Sequence, residues 1–405
     1  MLKPSIDDLI NSSFRSVLKN KSRTVLTSLG VIIGVTSVIL LTSIGNGLKI
    51  YVNQQFEALG SNTIFVSPGK IFNDNGSFSN ARGSIMSTSF SEKNLTDLKR
   101  GLKTNLIMPL KTVTVEVKSN TTKKSTTLVG TNYLYGPNNN SAPSANRGRW
   151  FTKEEEDKKS NVAILGATIA TDLFPNGNGL GKKIVVNSKN LKIIGINDKK
   201  GSSFGGPSVD EYIFTPFGIA ADIAGDQNIQ QIVIKAPNKS QIDNTKAKVT
   251  KILLEHYDKD AFSVFDSAQL LNSINAIIGT LTVALTGIAA ISLVVGGIGI
   301  MNIMLVTVSE RTKEIGLRKA IGAFPSAILL QFLFEAIILS GLGGFIGIIL
   351  GSLGTMTINN FFPAKVTLGS IILAFGVSFL VGIIFGVTPA RKASKLSPIE
   401  ALRYE

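Results

Sequence analysis

Four long apolar stretches, at 25–45, 274–306, 327–358 and 368–389, constrain this chain more than any other feature. Each supplies the roughly 20 apolar residues that a helix needs to cross about 30 Å of hydrocarbon. Their spacing is uneven: a long polar segment separates the first from the second, and the last three follow in quick succession. The pattern predicts a membrane protein of four transmembrane α-helices, with a large α+β extracytoplasmic domain inserted between helices 1 and 2. The first stretch exceeds the ~7–15 residues of a signal-peptide core and no A-x-A site follows it, so it reads as a retained span.

The cations assign the sides. Lys3, Arg15, Lys19, Lys21 and Arg23 precede span one, and Arg311, Lys313, Arg318 and Lys319 lie between spans two and three. Arg391, Lys392, Lys395 and Arg403 follow span four, whereas the loop between spans three and four carries only Lys365. Excess Lys and Arg mark cytoplasmic loops. Both termini and the second loop are therefore expected in the cytoplasm and the large insert outside.

Several chemistries drop out. With no Cys and a single His, His256, a Cys/His metal site, a cysteine nucleophile and a disulfide are excluded. His256 reads as a surface or boundary residue. The net charge is +15, but no zinc pattern, basic helix or aromatic-studded basic ribbon points to nucleic acid. Segment 176–183 is the nearest approach to a P-loop. It lacks the first glycine and places Lys183 where Ser or Thr should hold Mg²⁺. The run Glu154, Glu155, Glu156, Asp157 reads as the solvated start of a helix. No catalytic residue, cofactor or metal is expected.

Along the chain, 1–24 reads as a cytoplasmic amphipathic helix, the alternative being an extension of span one. Spans follow at 25–46, 274–306, 327–358 and 368–389. Between the first two lies the extracytoplasmic domain, 47–273, with strands at 63–67, 112–118, 162–165, 184–186, 191–196, 211–215, 231–235 and 262–266. Helices are expected at 91–103, 167–174 and 240–257, and the spacing of Thr152 and Glu155 marks a capping box. A helix from Ser267 is expected to run directly into span two. Residues 307–326 form a cytoplasmic helix, 359–367 a short outer loop and 390–405 a cytoplasmic tail.

Three groups of residues stand out. Glu335 is an acid inside span three. It reads as a proton or ion relay or, better, as a bundle-facing carboxylate paired with a Gln, a hydroxyl or a cation, since no second intramembrane acid accompanies it. Small residues recur at four-residue spacing: Gly30 and Gly34; Gly343, Gly347 and Gly351; Ser378, Gly382 and Gly386. That spacing permits close helix packing, within the bundle or between subunits. The third group is Ser309, Glu310, Arg311, Thr312, Lys313, Glu314, Ile315, Gly316, Leu317, Arg318 and Lys319. Glu314 and Arg318 are at i,i+4, and an apolar side accompanies them, as in a docking element.

The strings SERTKEIGLRKAIGA, QFLFEAIILSGLGGFIG and PARKASKLSPIEALRYE resemble the MacB/FtsX-like permeases of ABC transporters. RTVLTSLGVIIGV fits the same family, and GRWFTKEEEDKKSNVAILGATIATDLF and GKKIVVNSKNLKIIGI resemble a MacB-type periplasmic core domain. The resemblance runs in order along nearly the whole chain. Phe324-Pro325 departs from the usual basic residue after Gly-Ala. No nucleotide-binding domain precedes the permease here, as in split versions whose ATPase is a separate subunit, so the chain itself is expected not to be an enzyme. The resemblance implies a permease in the bacterial cell (inner) membrane, working as a homodimer by mechanotransmission. Its ATPase-coupling residues are 309–319, and its outer domain divides into a stalk-like subdomain (47–115 and 220–272) and an inserted one (116–219). The implied partners are an ABC ATPase subunit, an adaptor (membrane-fusion) protein and the lipid bilayer. Efflux of antimicrobial peptides, macrolides or similar amphiphiles is the first expectation. Lipoprotein release and regulation of a cell-wall hydrolase are the alternatives.

Overall fold

The computed structural model describes residues 21–59, 62–73, 79, 89–104, 106–119, 122–175, 177, 179–201 and 208–403. The amphipathic helix expected before span one lies outside the described residues, save its last few. The chain forms two compact units: Val52–Asn275, and Met1–Tyr51 together with Ala276–Glu405.

Helix α1 (Lys21–Leu59) leads into the first of these, the α/β unit. Then come β1 (Thr63–Pro68), α2 (Glu92–Leu102), β2 (Ile107–Lys118), β3 (Lys123–Thr131) and the short helices α3 (Tyr135–Asn138) and α4 (Lys153–Asp157). Next are β4 (Val162–Leu165), α5 (Ala167–Leu173), β5 (Lys183–Val186), β6 (Lys189–Ile196), β7 (Ile213–Pro216) and α6 (Phe217–Ala224). The unit closes with β8 (Gln231–Lys235), α7 (Ile242–Leu253) and β9 (Phe262–Asp266).

One strand joins two sheets. Residues 107–110 of β2 pair with β8, which continues antiparallel to β1 and β9. Residues 111–118 pair instead with β3, and Val117 and Lys118 also with β5. From β3 the pairings pass to β7, β4, β6 and β5 and so return to β2. A closed ring of this kind leaves no open edge for another chain to extend. Its strands are covered on both faces. Leu128, Ala163, Leu165 and Ile213 join one core with Val115, Val117 and Ile169. Their neighbours Val129, Val162, Ile164 and Phe214 join another around Trp150 and Phe151. Successive strand residues point to opposite faces, so two buried faces demand an unbroken apolar run such as 162–165. A third core lies between β1, β8 and the helices α2 and α7, with Ile64, Val66, Leu98, Val249 and Leu253.

Local signals act as the sequence suggests. Thr152 Oγ1 accepts from Glu155 N at 3.3 Å, and Glu155 Oε2 accepts from Thr152 N at 2.9 Å. Both oxygens of Glu155 also accept from Arg149, at 2.6 and 2.7 Å. His256 Nε2 lies 3.1 Å from Asp97 Oδ2, a half-exposed pair linking the end of α7 to α2.

The helical unit contains most of α1 and α8 (Ser267–Glu310), followed by α9 (Thr312–Ala320), α10 (Pro325–Ile358), α11 (Leu368–Lys395) and α12 (Pro398–Arg403). Asp266 caps α8: its Oδ1 accepts from Gln269 N at 2.8 Å while its Oδ2 holds Lys246 Nζ at 2.8 Å. Helix α8 then continues without interruption to Glu310. Helix α11 runs past Pro389 to Lys395. Ala390 and Ala393, both fully buried, pack in the core beyond the proline and offset its missing N–H. Among the described residues, four helices are long and apolar enough to cross a membrane. Apolar side chains along them stay exposed, Val283 at 73% and Ile384 at 62% among them, as suits a hydrocarbon solvent. The chain is a multi-pass membrane protein.

Candidate coupling site

The site forms where α8 ends. Ser309 and Glu310 are the last residues of α8, and Arg311 turns out of the helix with φ −97° and ψ 15°. Thr312 bridges the break, its Oγ1 reaching Val308 O at 3.1 Å and Ser309 O at 2.8 Å. Helix α9 restarts there and is thus shorter than the expected 307–326; Pro325 opens α10 with Phe324 as its N-cap. Thr312, Ile315 and Gly316 are buried, while Lys313, Glu314 and Leu317 face out.

Charged side chains tie α9 to its neighbours. Arg318 Nη2 donates to Glu314 Oε1 at 2.6 Å, and its Nη1 donates to Gln331 Oε1 of α10 at 2.7 Å. Lys319 Nζ donates to Ser394 O at 2.7 Å and Leu396 O at 2.6 Å, carbonyls at the end of α11 that have no helical partner. A methyl group on Gly316 would come 2.6 Å from Ala401 Cβ, so α12 packs directly on this glycine. One turn further into α10, Arg311 Nη1 lies 3.4 Å from Glu335 Oε2. Glu335 is 5% exposed, so the acid in span three is a buried carboxylate beside a cation.

Apolar side chains are exposed around α9 alongside Lys313 and Glu314. Leu317 is 57% exposed, Ile321 79%, Phe324 49% and Ile399 79%. Large apolar side chains left exposed among charged ones suit an interaction surface.

The glycines pack helices within the chain. A methyl on Gly30 would come 2.5 Å from Gly296 Cα, and one on Gly34 2.6 Å from Leu293 Cγ. Gly343, Gly347 and Gly351 lie against Val31, Val35 and Ile39 of α1, and Thr36 Oγ1 donates to Gly347 O at 3.2 Å. Gly382 and Gly386 lie against Ser340 and Ala336 of α10. Sequence reasoning missed Gly296, Gln331 and helix α12. The signal for α12 was present: Ser397 before Pro398, with Glu400 three residues on, is a helix start.

A family model described as MacB-like periplasmic core domain matches residues 24–252, more than half of the chain, and one described as FtsX-like permease C-terminal matches residues 286–398. This chain belongs to the MacB/FtsX-like permease family. Macrolide export ATP-binding/permease protein MacB of Azoarcus sp. (strain BH72) is 36% identical over 99% of this chain and 60% of its own length. The protein of that name from Wolinella succinogenes is 37% identical over 98% and 61%. The chain thus spans about 60% of the length of the relatives it matches. A solved periplasmic region of MacB from Actinobacillus actinomycetemcomitans, 18% identical, covers 55% of this chain and 97% of that one with a TM-score of 0.45. Helices α9 to α11 of this MacB/FtsX-like permease fall within the FtsX-like segment, and most of its α/β unit within the MacB-like one.

Proposed function

We propose that this chain is the permease of an ABC transporter that exports amphiphiles such as antimicrobial peptides or macrolides, driven by mechanotransmission. A partner ATPase docks on α9, the termini lie in the cytoplasm and the α/β unit stands outside. Two permease copies work together, and an adaptor meets the outer unit, whose stalk-like and inserted subdomains are 47–115 with 220–272, and 116–219. The carrying observation is the exposed apolar Leu317 on α9, with Ile321 and Phe324 exposed in the turn that follows, on a helix fastened by Lys319, Gly316 and the Arg318–Gln331 bond. A push on such a helix passes to α8 and α10 rather than being absorbed. Four hydroxyls in the spans are satisfied within their own helices, which suits transmission. Thr42, Thr282, Thr355 and Ser378 bond to carbonyls of their own helices, which satisfies them without a water-lined path.

The test is co-purification with a separately produced ABC ATPase subunit of this transporter class, with ATP hydrolysis as readout. Glu314→Lys and Arg318→Glu should each lower permease-stimulated hydrolysis about tenfold or more, the usual cost of reversing an interface charge. The double exchange restores the pair within α9. If it also restores stimulation, the pair only stabilises the helix and the docking assignment fails.

A further inference from the structure

The connection between α10 and α11 carries side chains that a short water-facing loop does not need. Phe361 is 89% exposed and Phe362 44%, two adjacent rings just beyond the end of α10. An apolar surface of that kind marks contact with a protein or a membrane.

The loop is held in place on both sides of the rings. Phe361 N and Phe362 N both donate to Ile358 O, at 2.9 and 2.8 Å, which folds the turn onto the end of α10. Asn359 Oδ1 accepts from Ala364 N at 3.2 Å. Beyond the rings the chain is fastened to α1. Lys365 N donates to Ser43 O at 2.9 Å, and Asn46 Nδ2 donates to Thr367 Oγ1 at 3.1 Å and to Ser370 Oγ at 3.0 Å. Ala364 is buried against Gly47, where a methyl group would come 2.5 Å from Ala364 Cα.

Those contacts also set the depth of the loop. Ser43 lies inside the apolar stretch 25–45 of α1, and Asn46 and Gly47 follow within about one turn. Residues 364–367 are therefore level with the end of a membrane-spanning stretch rather than out in water beyond it. The surface on either side of the loop is of the kind that meets hydrocarbon. Ile346, Ile349, Leu353 and Met356 are exposed at helical spacing along α10, and Leu368 and Ile372 are exposed one turn apart on α11. The two rings continue that band. Lys365, exposed three residues after Phe362, can lay its stem along the apolar surface and keep its ammonium among headgroups.

We propose that the α10–α11 loop is a membrane anchor, with Phe361 and Phe362 seated among the lipid acyl chains at the edge of the nearer leaflet and Lys365 at its phosphates. The occupant is lipid because the rings extend a surface that already faces hydrocarbon and because α1 holds the loop at that level. The inference uses only the membrane-spanning character of the helical unit and stands whether or not the transport reading holds.

The test uses the full chain reconstituted into phosphatidylcholine vesicles, with or without bromine on the acyl chains as a contact quencher. Trp150, buried in the α/β unit, is the single tryptophan of the sequence and supplies the background emission. In Phe361→Trp, the added emission should fall about twofold or more when the bromine lies near the headgroup end of the chain, fall less when it lies near the chain end, and resist acrylamide. Lys239→Trp, exposed before α7, should behave in the opposite way, indifferent to bromine and quenched by acrylamide. Phe362→Trp repeats the measurement should Phe361→Trp fail to reconstitute. Emission from position 361 that acrylamide quenches as it does at 239 places the loop in water and overturns the proposal. Emission shielded from both quenchers means that protein covers the rings, a second copy or another part of the chain, and overturns it equally.

Discussion

Two consecutive left-handed residues, Asn187 at φ 42° and Ser188 at φ 75°, join β5 to β6. That is a two-residue turn of the mirror-image type whose twist suits a hairpin, and it asks for Asn-Gly. Asn187 complies, and its Oδ1 also receives Glu116 N at 3.0 Å; Ser188 bears the strain of a Cβ in the left-handed region. Ser188→Gly should therefore raise the stability of the α/β unit by about 1 kcal/mol, read as a later thermal transition. Asp266 makes the opposite kind of contribution. Burial works to raise its carboxyl, but the hydrogen bonds from Lys246 and from the Gln269 and Ala268 amides outweigh burial and hold it below the usual aspartate range. A depressed acid stabilises the fold above its unfolded value of about 3.9 and loses that contribution as the pH falls through the lower folded value. Asp266→Asn should thus be less stable at pH 7, while the acid limb of its stability curve becomes shallower. An unchanged limb would remove Asp266 from the account of how α8 is anchored.

At the scale of elements, what could be read from sequence depended on whether neighbours or the chain itself decided the structure. The apolar spans, the capping box at Thr152 and the helix beginning at Ser267 were legible because each is set by residues close in sequence. Strand β2 was legible only from residue 112. Pro109 interrupts its first part, and proline argues against a strand that must donate on both sides. Here residues 107–110 pair with β8 alone, which leaves room for a missing N–H. Strand β3 was missed because it opens on Lys123, Lys124 and Ser125, and only its pairing with β2 and β7 makes it a strand. Helix α9 was legible as an amphipathic piece, but its contact with α12 was not, since Gly316 and Ala401 are remote in sequence. That contact has a consequence. Gly316→Leu should overpack the junction at a cost of about 1–3 kcal/mol and release α12. Trypsin should then cleave after Lys395 several-fold faster than in the native chain. A matching digestion rate would show that Lys319 alone secures the C-terminal segment.

For the whole molecule, the decisive quantity is the side of the membrane on which each unit lies. The spans are apolar enough to cross in either direction, so their own hydropathy decides nothing; the flanking charges must. Four cations sit in the α8–α10 connection and four follow the apolar stretch 368–389, against Lys365 alone in the α10–α11 loop. Each Lys or Arg near a span end biases that end towards the cytoplasm, and the biases here agree through all four helices. The absence of cysteine from the sequence makes the direct experiment clean, because any introduced thiol is the sole target. Lys239→Cys, exposed before α7, should react with a membrane-impermeant maleimide on intact cells. Lys313→Cys, exposed on α9, should react only after permeabilisation. Labelling in the reverse order would put the α/β unit in the same compartment as ATP and the exposed face of α9 outside it. No cytoplasmic ATPase could then reach Leu317 and Ile321, and force would have no route from nucleotide to the outer unit.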